Sequence, residues 1–71
     1  MTASDKLLAI YPVIRIYGTG VKAAKSGDTI ILTHICNAFP GKFIHHLAAV
    51  CDEQKIGFAV SAIDNKPAIY L

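Results

Sequence analysis

Thr29-Ile30-Ile31-Leu32-Thr33-His34-Ile35-Cys36 is rich in β-branched residues and apolar on both alternating faces. Such a run suits a strand covered on both sides. Gly27-Asp28 before it and Asn37 to Gly41 after it supply turn residues. Next, Phe43, Ile44, Leu47, Ala48, Val50 and Cys51 recur at spacings of three and four, which makes one apolar helical stripe. Lys42, His45, His46, Asp52 and Glu53 fall mostly on the remaining surface. Pro40-Gly41 opens this helix, and the stretch 55–57 closes it. Ile56 to Ile63 reads as a second strand. A strand, a helix and a strand in this order suggest a right-handed crossover joining parallel neighbours. The unit spanning Asp28 to Ile63 thus organises the chain.

The flanks are weaker. Ser4 is placed to N-cap a short helix over Asp5 to Ile10, with Pro12 stopping it; an extended arm fits as well. Val13 to Tyr17 reads as a strand with Arg15 and Tyr17 on one face. Val21 to Lys25 extends that strand past a glycine bulge or forms one helical turn. Ser26-Gly27-Asp28 then turns the chain, so Val13 to Lys25 pairs as a hairpin with Thr29 to Cys36. Ala68 to Leu71 reads as a terminal edge strand, where Pro67 is tolerable at the start. The fold expected is a single α+β domain: a small mixed sheet of three to four strands, one principal helix over about 41–55 on one face, and a short N-terminal helix.

Chemistry is sparse. Gly18-Thr19-Gly20-Val21-Lys22-Ala23 matches a dinucleotide-binding pattern, but too few residues follow for the helix that pattern needs, and a bulged hairpin is the better reading. Pro40-Gly41-Lys42 follows a strand, yet Cys36 and Phe43 stand where a phosphate loop wants Gly and Ser or Thr. What remains is an anion reading, in which free amides at a helix start join the Lys42 ammonium, beside an ordinary turn. His34, Cys36, His45, His46 and Cys51 hold metal-ligand types without a tight pair, and Cys51 lies on the apolar stripe. The reading there is a core thiol and surface histidines, with no metal. A nucleophilic cysteine would need a base and an orienting group that the spacing does not supply.

The strand-loop-helix-strand unit resembles the central part of the GNAT N-acetyltransferase superfamily over about half the chain. The residues that carry the likeness are Ile30 to Ile35, Pro40-Gly41-Lys42, and Leu47 to Asp52 running to Ile56-Gly57-Phe58-Ala59-Val60. Asn65 to Leu71 is similar to the family's later Asn and Tyr segment. The resemblance implies a GNAT-like β-α-β core. Acetyl-CoA would then lie against the amides of Gly41, Lys42 and Phe43, and Tyr70 would be the general acid.

Seventy-one residues make one small domain, and 54% of them are hydrophobic. A globule of this size has much surface and little interior, so some apolar side chains are expected to be exposed or to lie in an interface. A homodimer or a protein partner is therefore expected. The net charge of +2, with Lys22, Lys25, Lys42 and Lys55 scattered, argues against nucleic acid. No run approaches the ~20 apolar residues of a membrane span. The start has no basic, then apolar, leader pattern, and the two cysteines fit reduced thiols in the cytoplasm. The function expected is a non-catalytic protein that binds a host or other partner protein, by analogy with phage and mobile-element chains that modulate or inhibit host proteins. The alternative is a minimal acetyl-CoA module or acetyltransferase completed by dimerisation.

Overall fold

The computed structural model describes residues 1–71. It holds α1 (Ala3–Tyr17), β1 (Val21–Ser26), β2 (Thr29–His34), α2 (Gly41–Gln54), β3 (Ala59–Ile63) and β4 (Lys66–Tyr70). The α+β class expected from the sequence is the observed one, with two helices and four strands.

The first correction lies in α1, which is one helix of 15 residues and not a short helix followed by a strand. Its cap is Thr2, not Ser4. The Asp5 amide donates to Thr2 Oγ1 (3.2 Å) and the Thr2 amide donates to Asp5 Oδ2 (3.1 Å), a complete capping box. These bonds, the Thr2 amide first, hold the Asp5 carboxyl below its ordinary 3.8. Ala3, Leu7, Ile10, Val13, Ile14 and Tyr17 form a stripe buried or half-buried against the core. The segment that alternates like a strand, Val13 to Tyr17, therefore has helical spacing too, and its burial decides the conformation. At the far end the Gly18 amide donates to the Ile14 carbonyl (2.8 Å).

Pro12 sits inside this helix on its exposed side. It removes the amide that would bond the Leu8 carbonyl, and its ring crowds that carbonyl, at a cost of about 3 kcal/mol in a regular helix. Leu8 and Pro12 are both on the exposed side of the helix, and burial of the inner stripe offsets the cost. Pro12→Ala should therefore raise stability by roughly 1–3 kcal/mol in urea titration. A loss of stability would show instead that helix packing depends on the proline.

The sheet order is β1-β2-β4-β3, and every neighbouring pair is antiparallel. The sheet is thus not mixed. β2 and β3 do run parallel and are joined by α2, but β4 lies between them, so they are not neighbours. β4 is a central strand and not an edge. It reaches that place through the two-residue turn Asp64-Asn65, whose φ values of +52° and +64° match the tight turn that suits hairpin twist. The β1–β2 hairpin closes through Gly27-Asp28 with Gly27 at φ +61°. Gly18-Thr19-Gly20 is the link from α1 to β1, not a bulge within a hairpin.

Ile30 and Leu32 of β2 and Ile69 and Leu71 at β4 pack against Phe43, Leu47 and Cys51 of α2 and Ile10 and Val13 of α1. Both helices therefore cover one face of the sheet. α2 closes as its spacing predicts: the Lys55 and Ile56 amides donate back to the Asp52 and Cys51 carbonyls, with Lys55 at φ +58°. Lys6 Nζ ties α1 to the sheet by donating to the Asp28 (2.6 Å) and Leu71 (3.3 Å) carbonyls, and Lys25 Nζ donates to Ser4 Oγ (3.0 Å). The other sheet face has no helix. It carries mostly small or polar side chains, with Ile31 and Tyr70 half-buried near its middle. No helix is long and apolar enough to cross a membrane.

Candidate functional site

The outer face of α1 is the first candidate. Leu8, Tyr11, Pro12, Arg15 and Ile16 stand at i, i+3, i+4, i+7 and i+8, which is one stripe of a helix. It lies opposite the buried stripe. Leu8 is 75% exposed, Ile16 68% and Tyr11 56%. A helix resting on a small domain ordinarily turns charge to water, whereas this one is apolar on both sides. Arg15 is the only charged member of the stripe. The sequence reading put Arg15 and Tyr17 on one strand face; in the helix they separate. Tyr17 stacks on His46 (4.6 Å between centroids, 9° between planes) and Arg15 faces water.

The second candidate is the β3 edge. All five of its residues, Ala-Val-Ser-Ala-Ile, are exposed, and none is charged. The opposite edge, β1, carries Lys22 and Lys25.

A cleft of about 280 Å³ opens between the end of β2 and the β3–β4 hairpin. Its cause is Pro67. Ile30 and Leu71 exchange main-chain bonds, so alternation along an antiparallel ladder makes Leu32–Ile69 the next bonded pair and His34–Pro67 the one after. Proline has no amide to give, and the β2–β4 ladder ends at Leu32–Ile69. Beyond that pair, Lys22, Thr33, Ile63, Asp64, Lys66 and Pro67 line the cleft. Sequence reasoning missed this cleft, because seeing it requires the β2–β4 register.

The loop residues Gly41, Lys42 and Phe43 sit in the first turn of α2. Pro40 is the N-cap and gives no side-chain bond to the turn. Gly41 and Lys42 are exposed, and a Cβ on Gly41 would meet open space. The Phe43 side chain points the other way: it is fully buried and stacks on Phe39 at 5.7 Å. Only its amide belongs to the helix start.

The histidines and cysteines are dispersed. His34 is held by backbone on both ring nitrogens: Nε2 lies 2.9 Å from the Thr19 carbonyl and Nδ1 accepts the Cys36 amide at 3.0 Å. Donor and acceptor roles fix the tautomer with the proton on Nε2. With the Asn37 amide donating to the His34 carbonyl, these bonds also end β2 at His34, two residues earlier than the sequence suggests. His46 lies on α2 beside Tyr17, and His45 meets the His46 ring edge to face at 5.6 Å. Cys36 is exposed, while Cys51 is buried in the core, and burial pushes its thiol up, so it stays protonated. No three His, Cys, Asp or Glu side chains converge. Tyr70 is half-buried on the open sheet face, paired across from Ile31 and Ala59.

Comparison with protein-family models, with curated proteins and with solved structures finds no match.

Proposed function

We propose that this chain is a non-catalytic protein-binding module whose contact helix is α1. The observation that carries the reading is the outer stripe of Leu8, Tyr11 and Ile16, exposed on a helix whose other side already fills the core. An apolar groove on a partner protein, rimmed by carboxylates that meet Arg15, fits such a stripe. Fully burying one Leu or Ile side chain is worth about 1.5–3 kcal/mol, so the stripe can drive association without altering the fold.

The test is capture from cell lysate with the native chain and with Leu8→Ser/Ile16→Ser, each with and without acetyl-CoA. Exposed positions away from caps and cores ordinarily change stability by about 0.5 kcal/mol or less, so the double variant should stay folded. The native chain should retain one dominant protein partner, which the variant loses by at least about tenfold, the equivalent of 1.4 kcal/mol. Equal retention by both proteins overturns the reading. The acetyl-CoA module rests on the free amides at Gly41 and Lys42. Retention of the cofactor on the native chain, with no partner captured, would replace the binding module with it.

A further inference from the structure

We propose that β3 is a self-complementary edge through which two copies of this chain join their sheets, antiparallel and about a two-fold axis at Ser61. This goes beyond the α1 reading and uses a different surface. The two-residue turn makes Ile63–Lys66 a bonded pair, and alternation makes Ser61–Ala68 and Ala59–Tyr70 bonded as well. The amides and carbonyls of Val60 and Ala62 then point away from β4, into solvent. An edge of this kind is a template for another strand unless charge, proline or a bulge protects it.

Charge separates the two edges. β1 carries Lys22 on the open face and Lys25 on the helix face, so charge guards both faces of that edge, and β1 is the protected edge. β3 has no charge and no proline. Its order of side chains selects the second copy over an arbitrary strand. With Ser61 on the axis, Val60 of one copy faces Ala62 of the other, and Ile63 faces Ala59. Each larger apolar side chain meets an alanine, on both faces of the sheet. Val60, 58% exposed in the single chain, gains cover from the second copy. The axis runs perpendicular to the sheet, so all helices of the pair lie on one side. The edge brings together five residues per copy, against the 20–30 a side of a standard interface, so the pairing is weak and concentration-dependent.

The test places cysteines on β3 in a Cys36→Ser background. Ser61 opposite its own copy is a non-bonded pair, with Cα atoms about 4.5 Å apart, inside the disulfide range. Val60 meets its own copy only on the diagonal, about 7–8 Å away. Under glutathione oxidation Ser61→Cys should form covalent dimer at least ten times faster than Val60→Cys. Sedimentation of the protein without added cysteines should show a concentration-dependent dimer that Val60→Lys abolishes and Leu8→Ser/Ile16→Ser leaves unchanged. A monomer at every concentration, equal cross-linking at both positions, or a dimer that survives Val60→Lys overturns the proposal. Loss of the dimer in the α1 variant also overturns it, and moves self-association to the helix.

Discussion

Phe43→Ala should lower the melting temperature by roughly 15–30 °C. Phe43 is the largest fully buried side chain and joins α2 to Phe39 and to the core between helices and sheet. Truncating a buried Phe to Ala costs about 3–5 kcal/mol, the lost transfer energy plus the cavity left behind. A domain of 71 residues has only about 4–10 kcal/mol of total stability, and in this size range 1 kcal/mol moves the midpoint by about 4–8 °C. The variant should be largely or partly unfolded when warm. Phe43→Leu, which keeps most of the volume, should lose far less. A drop under about 5 °C for the alanine variant would mean that the core collapses around the site and would contradict the cost assigned to the cavity.

The second large effect comes from a residue with no side chain. Gly20 has φ +87°, and a Cβ there would stand 2.9 Å from His34 Cε1 and 3.0 Å from Ile35 Cγ1. Gly20→Ala should cost about 2–4 kcal/mol. The backbone strain contributes roughly 1–3 kcal/mol, and displacing the imidazole puts at risk its bonds to Thr19 and Cys36, worth about 1 kcal/mol each. The clash also makes the effect conditional. In a His34→Ala background Gly20→Ala should cost about 1 kcal/mol less, a coupling measurable by a double-mutant cycle. Strictly additive losses would remove His34 from the explanation.

Local signals in the sequence locate the elements that local physics controls. β2, the body of α2, the Gly27-Asp28 turn and the close of α2 are where periodicity and turn residues put them. α1 is not, because Pro12 reads as a stop while the inner stripe from Ala3 to Tyr17 continues through it. The spacing of Leu7, Ile10, Ile14 and Tyr17 was the signal that could have outweighed the proline. The place of β4 is non-local and no periodicity reports it. Asp64-Asn65 between two short strand-like runs does mark a hairpin, and a hairpin after β3 would have exposed β3 as an edge. Pro40-Gly41-Lys42 reads in sequence as an ordinary turn or as an anion site, and the structure makes it the start of α2, with the Phe43 side chain in the core. The outer stripe of α1 was invisible while Val13 to Tyr17 read as a strand.

Residue-resolved amide exchange at low and high protein concentration tests most directly whether this fold is built to be completed by another chain at β3. The Ser61 and Ile63 amides bond to β4 and should be protected at both concentrations. The Val60 and Ala62 amides should exchange freely when dilute and slow markedly when concentrated. Free exchange at Val60 and Ala62 throughout, with Ser61 and Ile63 still protected, would contradict the account and leave β3 an unused edge.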